Sequence, residues 1–385
     1  MRGRAMRNAF ALSSAALLAF SVAGCQQQST SGEGASQANL KIVEQVPIDQ
    51  NGAQVKVPEG TVAADPAGDG KATCPPLSLA MAGALTGPDA ALGVNIRNGV
   101  QMAVDQHNGA NPGCQVQLKT FDTEGDPQKA TQVAPQIVDD AFTIGLVGPA
   151  FSGETKATGQ IFDQAGLVAA TASATNVTLS EQGWKTFFRG LSNDGVQGAS
   201  VANYLKNNLG YKKVCVVDDS TDYGLGLATA VRTTLGPVAD SACNISVKKG
   251  DKDFSAAVNQ LKGVSPDAVF YSGYYAEAAP FVQQLRDGGY TGTFASGDGT
   301  KDPEFVKQAG EASKDAILSC PCSPAIGDFA TKYKEKFGQD AGTYSLEGFD
   351  LGTIMLKGID AGKITRPDLL DWVRANLEQP HSLDS

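Results

Sequence analysis

The sequence predicts an α/β protein of two doubly wound parallel-sheet lobes around a ligand cleft. Three observations carry that expectation. From Leu77 onward, apolar strand patterns alternate with amphipathic helix patterns, which is the mark of βαβ units and a parallel sheet. The alternation runs as two similar series, with residues 188–194 between them as a hinge. Within residues 143–178, two successive strands each run into a hydroxyl-rich loop. In an open parallel sheet both loops lie at the carboxyl edge, where ligands bind.

The elements follow in order. Residues 38–73 are polar, with Pro and Gly, and carry one hairpin pattern over 41–57 that turns at Asn51-Gly52; the segment reads as an appendage. Residues 77–85 form a strand, 95–108 a helix with Ile96, Val100 and Val104 inward, and 116–121 a strand. Asp126-Pro127 starts the next helix, with Ala130, Val133 and Ile137 on its apolar face. Ile144 to Val147 is a buried strand ending at Gly148-Pro149, and Ser152-Gly153-Glu154-Thr155 is a helix start with a carboxylate in its first turn. Leu167 to Ala170 is the next strand, and it stops in Thr171-Ala172-Ser173-Ala174-Thr175. Residues 186–190 are a short strand and 197–209 a helix; the second series then has strands near 213–217, 245–248, 268–274, 293–295 and 316–319, and helices near 223–235, 254–261 and 276–286. Helical patterns at 329–337, 346–359 and 367–377 end the chain.

The bulk numbers exclude several classes. A chain of 385 residues with 42% hydrophobic residues has length for about two or three domains, each with a core. A net charge of −10 argues against nucleic acid, whose binders need a basic surface. Arg2, Arg4 and Arg7, an apolar stretch over 9–20 and Val22-Ala23-Gly24-Cys25 read as a leader. This end resembles the lipobox of bacterial lipoproteins, which implies lipid attachment at Cys25. Residues 26–37, Ser/Gly-rich and without periodicity, read as a flexible tether. Beyond the leader no apolar run is long enough to span a membrane.

Six further cysteines, an even number in an exported chain, suggest disulfides whose pairing spacing alone leaves open. Cys74 and Cys114 precede the first two strands and stand in position to be neighbours; Cys215 and Cys243 bear the same relation in the second series. Cys320-Pro321-Cys322 is too close-spaced for a relaxed bridge and is not a CxxC redox motif. His107 and His381 lie far from any cysteine pair of ligand spacing, so no metal is expected. Cofactor and catalytic motifs fail: Gly224-Leu225-Gly226 lacks a third glycine and falls inside a helix, and no Gly-x-Ser-x-Gly elbow exists. No cofactor and no enzymatic activity are expected.

Seven segments then fall in a telling order: AMAGALTGPDAALG, TFDTEGDPQKATQV, GPAFSGETKAT, TASATN, DDSTDYGLGLA, FYSGYYAEA and SGDGTKDPEF. In this the chain resembles the leucine/isoleucine/valine-binding proteins, the extracytoplasmic solute-binding proteins of ABC importers, over roughly 77–377. The resemblance implies a type I periplasmic-binding-protein fold, a monomer, an amino acid ligand and an ABC permease as partner. It implies that Ser152 receives the ligand carboxylate, and that Ser173, Ala174 and Thr175 bind carboxylate and ammonium, partly through backbone. It implies that Tyr223 and Tyr274 close over the ligand and that Asp298 faces the ammonium. Such a zwitterion needs an N–H/O–H nest at one end and a carboxylate at the other. The chain departs from the pattern at Leu92, where the family has a tyrosine, and at Asp298, where it has the longer glutamate. It also ends before the family's final hairpin and third hinge strand, as a truncated C-terminus would. The implied division is a leader over 1–24, a tether and extension over 25–75, one lobe over 76–191 with 322–385, and the other over 192–321. A receptor ectodomain of the same fold, and a binding protein for an amide or aromatic acid, are the alternatives.

Overall fold

The computed structural model describes residues 40–56 and 62–377. Cys25, the leader and His381 lie outside them. Among the described residues no helix is long and apolar enough to cross a membrane.

The first sheet contains β1 (Leu77–Gly83), β2 (Val116–Asp122), β3 (Thr143–Val147), β4 (Val168–Thr171) and β5 (Phe187–Arg189), in the order β2-β1-β3-β4-β5. Every pair is parallel, with Leu79 opposite Leu118, Met81 opposite Val147 and Ala170 opposite Phe188. Helices α1 (Ala90–Ala110), α2 (Pro127–Val138) and α3 (Ser152–Gln164) are its crossovers. β1 is buried along its whole length because both faces are covered. Leu79 and Met81 join the core that includes Ile96 and Val100 of α1, while Ala80 and Ala82 join Ala134, Ile137 and Phe162 on the other face.

The chain crosses to a second parallel sheet through α4 (Asp194–Asn203), which continues as a π-helical turn over Tyr204–Asn208. That sheet contains β6 (Val214–Asp218), β7 (Ile245–Ser246), β8 (Ala268–Ser272), β9 (Thr293–Ser296) and β10 (Ile317–Leu318), in the order β10-β9-β8-β6-β7. Its helices are α5 (Asp222–Leu235), α6 (Ser255–Val264), α7 (Tyr275–Asp287) and α8 (Pro303–Ala309). Helix α8 escaped the sequence reading because it is a seven-residue helix with little periodicity to detect. The last helices, α9 (Phe329–Phe337), α10 (Ser345–Asp360) and α11 (Arg366–Leu377), return to the first lobe, where α10 lies along α1 and α11 packs on β3 and β4.

Two expectations are corrected. The N-terminal extension is not a free appendage. Its hairpin is reduced to one bridge, Ile48 with Gln54, and the segment is docked on the body. Gln45 Nε2 donates to the Cys322 carbonyl at 2.6 Å, and Asn203 Nδ2 donates to the Gln50 carbonyl at 2.7 Å. Polar composition hid this because the docking bonds use backbone carbonyls. Cys320 and Cys322 are also disulfide-bonded, as are Cys74 with Cys114 and Cys215 with Cys243. The Cα atoms of the close pair sit 5.1 Å apart, within the ordinary range.

Helices α1 and α10 approach closely because glycines line their contact. A Cβ added at Gly99 would lie 2.0 Å from the Ser345 carbonyl oxygen, whereas one at Gly109, further along α1, meets nothing within 4 Å. Gly99→Ala should therefore cost about 1–3 kcal/mol by forcing the helices apart, and Gly109→Ala should stabilise by up to about 1 kcal/mol through helix propensity. Denaturant unfolding of both variants checks this; equal effects would contradict the packing.

Candidate functional site

The carboxyl edges of the two sheets face each other across a narrow interlobe cleft. Leu92, Phe151, Ser152 and Ser173 line it from the first lobe, with Tyr344 just before α10; Tyr223, Tyr274, Asp298 and Gly299 line it from the second. Five of the seven ligand residues expected from the sequence meet here. Ala174 and Thr175 are buried in the layer behind.

In the first lobe, α3 begins at Ser152, with Phe151 in extended conformation as its cap. Glu154 reaches back and accepts the Phe151 N–H at 2.7 Å, so the carboxylate expected in the first turn is a cap. The first N–H groups of such a helix have no intrahelical acceptor and suit an anion. The loop after β4 is stitched to the loop before α3. Thr171 Oγ1 donates to the Pro149 carbonyl at 2.8 Å and accepts the Ala174 N–H at 2.9 Å. Ser173 Oγ donates to the Ala150 carbonyl at 2.5 Å. Ser152 Oγ accepts the Asn176 N–H at 3.2 Å, which leaves its own proton for a ligand. The Ala174 N–H is thus already used, and the Thr175 hydroxyl is buried with no well-formed hydrogen bond among the described residues.

In the second lobe, Tyr223 lies in the first turn of α5, capped by Thr221, and Tyr274 caps α7 after β8. The Phe151 and Tyr274 rings lie 4.6 Å apart across the cleft, and Tyr274 and Tyr223 lie 5.1 Å apart. Asp298 follows β9. The Tyr223 hydroxyl donates to its Oδ1 at 2.9 Å and accepts the Gly299 N–H at 3.0 Å. The Tyr344 hydroxyl donates to its Oδ2 from the first lobe. The flanking glycines suggest a loose turn, but Asp298 is only 2% exposed. The glycines are there for close approach: a Cβ at Gly297 would lie 2.6 Å from the Tyr223 hydroxyl, and one at Gly299 2.8 Å from its ring.

Burial raises the Asp298 carboxyl above its usual range although Tyr344, Gln197 and Tyr223 oppose the shift by bonding its charged form. Burial, then the Asp298 charge, pushes both tyrosines well above 10, so they stay neutral donors. Asp194, at the start of α4, is pushed up to about 8 by burial and then by Asp298. Thr175 and Arg189 oppose that shift, yet among the described residues neither Asp194 oxygen has a well-formed hydrogen bond. Sequence reasoning missed Tyr344 and Phe151 as lining residues and treated Asp194 only as a hinge end. Tyr344 had one local signal, a position just before a helix, and its left-handed φ of 72° is visible only in three dimensions.

Among the described residues no nucleophile–base pair faces the cavity. His107 Nε2 lies 2.8 Å from Asp360 Oδ1, inside the first lobe. Those two residues cluster with Cys114, whose sulfur is held in the bridge to Cys74.

This two-lobed, oxygen-lined cleft has known counterparts. The family model of the periplasmic binding proteins matches residues 76–382. The chain belongs to this family. It is a solute-binding protein and not an enzyme, and its relatives bear out the resemblance read from the sequence. An amino acid binding protein of Pseudomonas aeruginosa is 31% identical over 276 residues, 70% of this chain and 73% of that one. A Leu/Ile/Val-binding protein of Rhizobium johnstonii is 33% identical over 247 residues, 63% of this chain and 67% of that one. Among solved structures, a branched-chain amino acid transporter substrate binding protein of Streptococcus pneumoniae in complex with isoleucine matches with a TM-score of 0.72 at 28% identity, covering 78% of this chain and 88% of that one. A leucine binding protein of Thermotoga maritima matches with a TM-score of 0.71 at 27% identity, covering 77% and 87%.

The buried acids of this binding protein set its pH dependence. Besides Asp194, burial raises Glu154, Glu277 and Glu347 to about 7 and Asp219 to about 6. Each holds its proton more tightly folded than unfolded, where carboxyls titrate near ~4. Their stabilisation is complete below that value and is lost as pH rises through about 6 to 8. The thermal midpoint of the ligand-free protein should fall between pH 5 and pH 8.5, and Asp194→Asn should flatten the upper part of that fall. A midpoint that rises over this range would contradict the assignment.

Proposed function

We propose that this binding protein takes an α-amino acid of the branched-chain type into the interlobe cleft and delivers it to an ABC permease. It acts as a monomer, with residues 76–191 and 322–385 as one lobe and 192–321 as the other, anchored outside the cell membrane through lipidated Cys25. The observation that carries the reading is the polarity of the cavity. A buried carboxylate, Asp298, stands at the second-lobe end, with hydroxyls and a helix N-terminus at the first-lobe end and Leu92, Phe151 and Tyr274 among the walls. An ammonium at Asp298 would take the charge that burial now disfavours, and a carboxylate set against Ser173 and the loop of Ala174 and Thr175 would meet its donors at the Ser152 hydroxyl and the first N–H groups of α3. Tyr223 and Tyr274 would close over the ligand. An apolar side chain between the charged ends fits the remaining walls, and the names of the relatives support this choice.

A micromolar complex needs about −8 kcal/mol, within reach of a buried zwitterion with both ends paired. Calorimetric titration of protein refolded free of ligand with leucine, isoleucine and valine tests the reading. Heat with none of them, but with an amide or an aromatic acid, would favour the alternative, because a protonated Asp298 would then serve as a neutral donor. Asp298→Ala should weaken amino acid binding by at least about tenfold, since it strips the ammonium of its partner in a buried site. Asp298→Glu should weaken it less. An Asp298→Ala variant that binds leucine as tightly as the parent would remove Asp298 from the ammonium site.

A further inference from the structure

The cleft is bridged at one edge by an ion pair between a part-exposed lysine, its side chain 28% exposed, and a buried aspartate, and the pair takes no part in lining the cavity. Lys249 follows β7 in the second lobe, its N–H donated to the Asp219 carbonyl at 3.1 Å. Its Nζ lies 2.9 Å from Oδ2 of Asp89, the residue before α1 in the first lobe. The same ammonium lies 4.4 Å from the centre of the Tyr274 ring, 5.3 Å from that of Phe151 and 3.5 Å from the Gly125 carbonyl oxygen. Its contacts are therefore divided between the lobes, and two of them are the rings that wall the cavity.

The charges around it make the pair more than a surface contact. The Asp89 side chain is 1% exposed, and neither of its oxygens has a geometrically sound hydrogen bond among the described residues, so Lys249 is its compensation. Burial works against the ammonium, but Asp89, followed by Glu277 and Asp219, outweighs it and holds Lys249 above its usual value. Glu154 of the first lobe adds a further carboxyl to this surround. A second interlobe pair, Lys156 with Asp222 at 2.6 Å, is the useful contrast. Its side chains are 53% and 35% exposed, so water screens it and it contributes little.

We propose that Lys249 is the closure clasp of this cleft, a second-lobe ammonium that engages Asp89 and the Phe151 ring of the first lobe when the lobes shut. It is a positioning residue: it holds Phe151 and Tyr274 in place and raises ligand affinity without touching the ligand. In the open form Asp89 regains water and Lys249 loses its partner, so the pair acts on the closing equilibrium, and ligand binding draws on that equilibrium. The inference rests on the amino acid reading only for the choice of titrant.

The experiment compares the parent with Lys249→Met, Asp89→Asn, the double variant, Lys249→Arg and Lys156→Met. Each is titrated with leucine, and its radius of gyration is measured by small-angle X-ray scattering with and without leucine. Lys249→Met should lose at least about tenfold in affinity, because it leaves Asp89 buried and unpaired on closing. The double variant should bind as well as or better than Lys249→Met, Lys249→Arg should recover part of the loss, and Lys156→Met should stay within about twofold of the parent. Single losses that multiply in the double variant, or a Lys249→Met affinity within about twofold of the parent, overturn the proposal. If Lys249→Met fails to fold by circular dichroism, Asp89→Asn reads the same pair from the other lobe. If leucine does not bind the parent, the amino acid reading fails by itself. The clasp is then judged on the ligand-free radius of gyration, which must be larger in Lys249→Met or Asp89→Asn than in the parent; an equal value overturns it.

Discussion

The Asp298 carboxylate is the constraint on which the cleft depends. A carboxyl group with almost no exposure is costly unless something takes up its charge or bonds its oxygens. Here Tyr223 bonds one oxygen from its own lobe and Tyr344 bonds the other from the opposite lobe. This single group thus joins the two halves of the molecule, and several local features follow from it. Gly297 and Gly299 are needed so that the loop can press against the Tyr223 ring and hydroxyl. Tyr344 takes up a left-handed backbone, which costs a non-glycine residue about 1–3 kcal/mol, to reach the same carboxylate.

The first lobe supplies the complement. Its two loops at the ends of β3 and β4 present hydroxyls and the start of α3, and they are bound to each other through Thr171, Ser173 and Ser152. Preorganised donors of this kind lose little entropy when an anion arrives. The charge pattern runs from donors on one side to an acid on the other, so a zwitterion has one favourable orientation. The Lys249–Asp89 pair, half-buried, lies beside this axis and brings its own compensation, which keeps the edge of the cleft from adding another unpaired charge. Further polar contacts span the lobes: Asn176 Nδ2 donates to the Asp222 carbonyl at 2.6 Å, and Asn95 Nδ2 to Asp302 at 3.1 Å.

Much of this was legible in the sequence, and the reason is topological. Parallel strands announce themselves as apolar runs, and their carboxyl ends fix where functional loops must lie. Ser152, Ser173, Tyr223, Tyr274 and Asp298 all follow strands; chain order singled out the loops of Ser152 and Ser173, and the family resemblance supplied Tyr223, Tyr274 and Asp298. Tyr344 follows no strand. It reaches the cavity because α10 packs along α1, a long-range contact with no local signature. Lys249 and Asp89 were equally silent, since a lysine after a two-residue strand looks like any solvated turn. The glycines beside Asp298 resemble a loose turn in sequence and mark a tight one in space. The docking of residues 40–56 escaped for a similar reason, because it rests on backbone carbonyls that every sequence possesses.

The most direct test is a crystal structure of this protein grown with the amino acid that binds it most tightly. The account predicts density between the lobes with the ligand nitrogen within hydrogen-bond distance of an Asp298 oxygen. The ligand carboxylate should lie against the Ser152 hydroxyl and the first N–H groups of α3. A ligand bound in the reverse orientation, or one that leaves Asp298 bonded only to Tyr223 and Tyr344, would contradict it.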